Sequence, residues 1–317
     1  MNVLIFGAGA VGSVFGGFLC RDGHSVTLIG RKPHMDAVAA DGLHITGIWG
    51  EHHVPNLLPL TAVDDRPDRI QFDLILVTVK SFDTVEAGRT VAPLVGPATT
   101  VLSLQNGIGN VETLAKSIDP GRVFGGRVIF GVDLLEPGRV KVTVYAEEVR
   151  VGHPSGAGTE TAKTIADAFS HAGIPTLATD EIHRYLWGKL LYNAALNPLG
   201  AIFEKTYGEL AAEDTTRVVM DRIIDEIFSV AAVERVGLFW KNPNEFRKLF
   251  YGKLVPATAD HYPSMLRDLQ HGRRTEIDAF NGAVVHLADK HYLSVPVNRS
   301  ITERIRYLEI NTVEKEC

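Results

Sequence analysis

The chain has 317 residues, 45% of them hydrophobic and 22% charged, with a formal net charge of -6 at pH 7. That length allows two domains with cores of their own, and the composition is ordinary for a soluble globular protein. The negative balance gives no general attraction to phosphate backbones, so no nucleic-acid partner is expected.

"MNVLIFGAGAVG" lacks the basic leader and small-residue cleavage site of a signal peptide, and its apolar run already belongs to a strand and a tight turn. No apolar run reaches the roughly 20 residues that span a bilayer, so no membrane segment is expected. The only cysteines, Cys20 and Cys317, are too far apart to indicate a disulfide framework or a CxxC clamp. A cytoplasmic protein is the expectation.

The first half alternates strand and helix. "NVLIF" reads as a short buried strand, followed by a glycine turn and an apolar helix from about Val11 to Arg21. "SVTLIG" is a second strand. "FDLILVTVK" is a continuous apolar, β-branched run of the kind found in parallel sheets covered on both faces. "TTVLSLQNGIG" is another strand ending in a glycine loop. This rhythm indicates an α/β class with an N-terminal, Rossmann-type doubly wound sheet. "EPGRVKVTVYAEEVRVG" alternates around a Pro-Gly turn and reads as an antiparallel hairpin or edge region. "GHPSGAGTE" lacks the Lys-Ser/Thr ending of a phosphate P-loop and reads as a loop entering a helix.

From about Glu181 the strand runs disappear. Helical patterns cover 182–197, 210–236, 258–271, 274–291 and 297–311. The expected organisation is therefore residues 1–180 as a dinucleotide-binding domain and 181–317 as an all-helical substrate and catalytic domain.

"GAGAVG", comprising Gly7, Ala8, Gly9, Ala10, Val11 and Gly12, places a GxGxxG motif between a predicted strand and a predicted helix. Gly7 permits the tight turn, Gly9 lets a pyrophosphate approach the backbone, and Gly12 lets the helix sit close to the sheet. The helix N-terminus then faces the phosphates. An NAD site usually has Asp or Glu at the end of the second strand, whereas this chain has Gly30, Arg31 and Lys32. A guanidinium there favours a 2'-phosphate, so NADP(H) is the expected cofactor, unless Arg31 is only a solvated loop cation. Lys80 and the "QNG" of residues 105–107 also follow parallel strands, where such sheets bind ligands.

"WGKLLYNAALNPLGAI" is an apolar helix that nevertheless carries Lys189, Asn193 and Asn197. At i, i+4 and i+8 they drift only about 40° per step and form one polar stripe. Burying such groups is costly unless they meet a partner or a site. Hydride addition to a ketone needs a group that stabilises and protonates the developing oxyanion, and a lysine ammonium does both. The alternative is a snorkelling lysine on an ordinary helix that ends at Asn197 before Pro198.

These motifs, with "VKS", "LQNG", K-x3-N-x3-N-P and "SML-x-D…R-x-T-E-I-D…NG" in order along nearly the whole chain, closely resemble the ketopantoate reductase family. The resemblance implies reduction of ketopantoate (2-dehydropantoate) to pantoate with NADPH, on the route to pantothenate. It implies Lys189 as proton donor and Asn193, Asn197 and Ser264 as substrate contacts lining a cleft between the domains. It also implies cofactor contacts at Gly7 to Gly12, Arg31, Lys80, Asn106 and Glu276. For Ser264 and Glu276 taken alone, capping and surface ion pairs are the competing explanation.

Tyr207 and His261 stand where the family commonly has asparagines, which leaves open a different branched or larger 2-oxo acid. A non-catalytic NADP(H)-binding sensor is a further alternative, although a sensor has no need of a proton donor. His44, His52 and His53 read as a polar loop without metal-ligand spacing, and His286 and His291 miss the i, i+4 face, so no metal is expected. "GLFWKNPNEFRKLFYGK" reads as a helix pair with buried aromatics rather than a nucleic-acid surface. The long helices after residue 207 are compatible with packing inside one chain or in a homodimer.

Overall fold

The computed structural model describes residues 1–66 and 70–313. It divides into two compact units, residues 1–106 with 110–182, and residues 107–109 with 183 onward. Cys317 lies outside the described residues. Cys20 is a half-buried free thiol whose pKa burial raises, which favours the unreactive protonated form. Among the described residues no helix is long and apolar enough to cross a membrane.

The first unit begins with β1 (Asn2–Phe6), α1 (Ala10–Arg21), β2 (Ser25–Ile29), α2 (Lys32–Asp41), β3 (Leu43–Gly47), β4 (His52–Val54), β5 (Leu58–Leu60) and β6 (Leu74–Val77). It continues with α3 (Thr84–Val91), β7 (Thr100–Ser103), α4 (Asn110–Leu114), β8 (Val123–Arg127), β9 (Phe130–Glu136), β10 (Arg139–Tyr145), β11 (Val149–Gly152), α5 (Thr159–His171) and β12 (Thr176–Ala178). Eight strands form one sheet in the order β12-β11-β8-β7-β6-β1-β2-β5. Every pair in it is parallel except β8 with β11. The unalternating apolar run of β6 is buried along its whole length, as expected of a strand covered on both faces. The strand order reverses at β1, whose neighbours are β2 and β6. In open α/β sheets such a switch point opens a crevice beyond the carboxyl ends of the strands.

The Pro137-Gly138 hairpin forms between β9 and β10, but it does not extend the main sheet. β10 pairs in parallel with β3, which pairs with β4, giving a second sheet in the order β4-β3-β10-β9. The reading of His44, His52 and His53 as a polar loop is therefore corrected, since His44 lies in β3 and the other two in β4. These strands are only five and three residues long, and their buried positions Leu43, Ile45 and Val54 alternate with histidines. Helix α1 lies between the two sheets, which is why its residues 12–19 are all buried. On the second-sheet side the Phe15 ring is 5.8 Å from that of Phe130, and Phe18 is 5.6 Å from Trp49.

The second unit contains α6 (Ile182–Phe203, from His183 on), α7 (Tyr207–Ala212), α8 (Asp214–Val233), α9 (Pro243–Leu249), α10 (Ser264–Gln270), α11 (Asn281–Lys290) and α12 (Pro296–Val313). It has no strand among the described residues. Three expected helices are shorter or divided. The 210–236 pattern is two helices, because Glu213 is extended between α7 and α8, and a Thr206–Glu209 capping box starts the first of them at Tyr207. The 258–271 pattern becomes α-helical only at Ser264, since a residue before proline, here Tyr262, is disfavoured in helical geometry. The 274–291 pattern starts as a short 3-10 turn, Ile277–Ala279, before α11. The aromatic segment is helical as expected, with Phe246 and Phe250 fully buried.

Helix α6 is longer than the sequence pattern indicates, running through Pro198 to Phe203. Proline has no N–H, so the Ala194 carbonyl loses its helical donor. Asn281 supplies the replacement, its Nδ2 donating to that carbonyl at 3.1 Å. Asn281 also donates to Asn298 Oδ1 at 3.0 Å, and Asn298 donates to Glu226 at 2.7 Å. The Glu226 carboxylate accepts the backbone amides of Val297 and Asn298, both at 2.9 Å, capping the first turn of α12. One buried polar chain thus connects α6, α8, α11 and α12.

Asn281→Ala is expected to lower the unfolding free energy by about 1–3 kcal/mol, the cost of stranding a buried polar group. Denaturant unfolding reads this directly. In a Pro198→Ala background the helical donor returns and the cost should shrink. An equal cost in both backgrounds would show that Asn281 does not act through the Ala194 carbonyl.

Candidate active site

In the first unit, the candidate cofactor residues follow four adjacent parallel strands. Arg31 follows β2, Gly7 follows β1, Lys80 follows β6 and Asn106 follows β7. Gly7 has φ +110°, a conformation that favours glycine, and a Cβ there would lie 2.5 Å from the Val79 nitrogen. At Gly12 a Cβ would lie 2.6 Å from both the Gly7 carbonyl oxygen and the Thr78 hydroxyl. Gly9 differs, because a Cβ there would meet nothing closer than the Gly7 carbonyl oxygen at 3.9 Å. Protein packing does not require glycine at position 9, whereas a phosphate approaching the backbone would.

The amides of Gly7 and Ala8 are turned inward onto the Ile29 carbonyl, at 3.0 and 2.7 Å. Those of Ala10, Val11 and Gly12 begin α1, where helical geometry supplies no carbonyl acceptor. A loop that crowds out side chains and a helix N-terminus with outward amides together fit the pyrophosphate of a dinucleotide. Arg31 is exposed at the N-cap of α2 and has no carboxylate partner among the described residues, whereas Lys32 pairs with Asp36.

The loops carrying Lys80 and Asn106 are fixed by a buried network. Gln105 donates to the Val79 carbonyl at 3.1 Å and to the Thr84 hydroxyl at 2.7 Å. Thr84 donates to Asn110 at 2.9 Å, and Asn110 donates back to the Asn106 carbonyl at 2.8 Å. The sequence placed "QNG" at a strand end but gave no sign that Gln105 and Asn110 hold the loops from within. Gln105 reaches Val79 and Thr84, 26 and 21 positions earlier, and Asn110 reaches Thr84, 26 positions earlier, pairs that only the fold makes neighbours.

In the second unit, Lys189, Asn193 and Asn197 share one face of α6. Lys189 is half-buried, and the two asparagines are 8% and 5% exposed. Ser264 Oγ donates to Asn197 Oδ1, and Asn197 Nδ2 donates to Asn193 Oδ1, each at 3.4 Å. This direction of bonding leaves the Asn193 N–H groups to donate elsewhere, and the long contacts can tighten around a ligand. Ser264 is brought there by the strap 259–263. That strap accepts the Tyr207 and Gly208 amides at 3.2 and 2.8 Å, and Pro263 packs against Gly200 of α6. Tyr207 is buried, 5.8 Å in ring separation from Tyr192 and 5.2 Å from His261, and desolvation raises its phenol pKa. Its place is beneath the strap, in the core of the unit.

Glu276, 6% exposed, belongs to the second unit and opens the turn that ends at Ala279. The Ala279 carbonyl accepts the Ile108 amide at 3.2 Å, so segment 107–109 is anchored beside that turn. Asp41, His44 and His53 do gather, with potential ligand atoms within 4.8 Å of one another. Both Nε2 atoms already contact Asp41, at its carboxylate (2.9 Å) and its carbonyl (2.6 Å), and the Arg139 guanidinium lies 3.8 Å from that carboxylate. A cavity of about 380 Å³ opens at the amino ends of β1 and β2. It lies at the opposite end of the strands from GxGxxG, and its lining has no ionisable side chain.

The family description Ketopantoate reductase PanE/ApbA matches residues 3–156, and its C-terminal counterpart matches residues 181–309. The chain belongs to the ketopantoate reductase family. It is 43% identical over 312 residues to 2-dehydropantoate 2-reductase of Aquifex aeolicus, covering 98% of this chain and 97% of that one. It is 34% identical to the enzyme of the same name from Pyrococcus horikoshii, covering 94% of each. Among solved structures, a PanE/ApbA family ketopantoate reductase from Ralstonia eutropha superposes with TM-score 0.86 at 31% identity, over 98% of this chain and 99% of that one. D-mandelate dehydrogenase in ternary complex with NADH and anilino(oxo)acetate superposes with TM-score 0.89 at 28% identity, with the same coverage.

For this ketopantoate reductase family member, Gly9→Ala and Gly12→Ala separate ligand approach from packing. Gly9→Ala should keep the wild-type melting temperature yet weaken dinucleotide binding by about tenfold or more, equivalent to about 1.4 kcal/mol. Gly12→Ala should lower the melting temperature as well. Unchanged binding in Gly9→Ala would contradict a pyrophosphate at this turn.

Proposed function

We propose that the protein is an NADPH-dependent reductase that converts 2-dehydropantoate to pantoate. The observation that carries this reading is the stripe Lys189, Asn193 and Asn197 on an otherwise apolar helix, whose two asparagines are hydrogen-bonded in series to Ser264 of α10. The relatives named 2-dehydropantoate 2-reductase, one of them 43% identical, support the choice of substrate.

In this reading Gly7 to Gly12 hold the pyrophosphate through backbone amides, Arg31 pairs with the 2'-phosphate, and Lys80 and Asn106 contact the rest of the cofactor. Glu276 is assigned to the cofactor side of the active site. When bound, NADPH supplies the hydride. Lys189 places a positive charge at the ketone oxygen and gives it a proton as negative charge develops. Asn193 and Asn197 orient the substrate through neutral amides that do not compete for that proton. Ser264 fixes the Asn197 amide and adds a hydroxyl to the substrate contacts.

A second reading, reduction of a larger 2-oxo acid with NADH, is favoured by the likeness to D-mandelate dehydrogenase with its NADH and anilino(oxo)acetate. Tyr207 is relevant to it through the strap that carries Ser264. Arg31 at the end of β2 favours NADPH.

Lys189→Ala is expected to reduce kcat by about 100-fold to 10,000-fold, the usual contribution of a general acid. NADPH affinity, read by fluorescence titration, should stay at the wild-type value. Turnover that survives the substitution would remove Lys189 from the chemistry. Absence of turnover in the wild type, with NADPH bound, would favour a sensor over an enzyme.

A further inference from the structure

We propose that His34 is a positioning residue of the nucleotide site, tying α2 and its Arg31 to the phosphate-binding helix α1 and to the tip of the β9–β10 hairpin. This rests on the reading above that the first unit binds NADP(H). His34 is 5% exposed and sits in the first turn of α2, three residues after Arg31.

Its tautomer follows from its partners. The Gly138 backbone amide donates to Nδ1 at 2.9 Å, and because an amide N–H only donates, Nδ1 carries no proton. The proton is therefore on Nε2, which lies 2.9 Å from Ser13 Oγ and donates to it. Ser13 is fully buried, directly follows Gly12, and gives its own amide to the Gly9 carbonyl at 2.9 Å. A single imidazole thus bridges partners 21 and 104 residues away, one on the glycine-rich turn's helix and one on the second sheet. Burial and the Arg31 guanidinium both disfavour the imidazolium and lower its pKa, so the neutral form that makes both bonds is the resting one.

Helix α2 needs such a peg. It has ten residues, no side-chain cap, and only His34, Met35 and Val38 buried. A helix this short is marginal without tertiary contacts. Losing the imidazole would leave the first turn, and the Arg31 backbone with it, free to shift relative to the phosphate-binding turn. The pyrophosphate contacts on α1 would remain. The consequence is selective: a 2'-phosphorylated dinucleotide should suffer and its unphosphorylated counterpart should not.

The test is the dissociation constants of NADPH and NADH, by fluorescence titration, for wild type, His34→Ala and His34→Asn, with melting temperatures alongside. Expected for His34→Ala is a loss of NADPH affinity of about tenfold, with NADH changed by less than about twofold. His34→Asn, whose amide oxygen can accept from Gly138, should recover part of the NADPH affinity. Equal weakening of both cofactors, or no weakening, would overturn the positioning role. A wild type that binds both cofactors equally would also overturn it, by removing the 2'-phosphate from the account. A wild type that binds neither would instead sink the nucleotide-site reading on which the inference stands.

Discussion

A methyl group at Gly12 would lie 2.6 Å from the Gly7 carbonyl oxygen and the Thr78 hydroxyl, so β1, β6 and the first turn of α1 meet with almost no side chain between them. Much of the first unit's chemistry depends on that crowding. It holds the start of α1 beyond the sheet's carboxyl edge, at the switch point where β1 separates β2 from β6. The inward amides of Gly7 and Ala8 are taken by Ile29, which leaves those of Ala10, Val11 and Gly12 for a ligand. The open side of Gly9 is where that ligand can approach. Around this fixed point the other strand ends carry Arg31, Lys80 and Asn106, the last two on loops held by the shared Gln105–Thr84–Asn110 network.

The helical unit solves the opposite problem, keeping polar groups inside an apolar bundle. Pro198 interrupts the α6 hydrogen-bond ladder one residue after Asn197, and the freed Ala194 carbonyl is met by Asn281. The helix therefore continues, and the stripe is carried on a complete scaffold instead of a frayed end. The asparagines satisfy part of their hydrogen bonding with one another and with Ser264, and the remaining amide N–H groups are the ones the proposed function assigns to a substrate. Apolar burial elsewhere, such as that of Leu191, Ala195 and Phe246, offsets the cost of these buried polar groups.

The α/β-then-helical order, the GxGxxG turn and the stripe on α6 were legible because each rests on local periodicity or a short motif. What was hidden depends on contacts distant in sequence. β3 and β4 were missed because their inward Leu43, Ile45 and Val54 are too few to outweigh the intervening histidines. The hairpin's parallel partner β3 is nearly a hundred residues earlier, and no turn chemistry announces that pairing. Pro198 looked like a helix end because the donor that replaces its amide, Asn281, lies 87 residues away. His34 gave no signal at all, since a histidine in "RKPHMD" becomes distinctive only when Ser13 and Gly138 are brought to its two nitrogens.

We propose that this scaffold reduces 2-dehydropantoate with NADPH. The most direct measurement is kcat/KM of the purified wild-type protein for 2-dehydropantoate and for an aromatic 2-oxo acid, each with NADPH and with NADH, followed by loss of reduced cofactor. The highest value should belong to 2-dehydropantoate with NADPH. A preference for the aromatic acid with NADH would contradict the proposal and move the protein toward D-mandelate dehydrogenase chemistry.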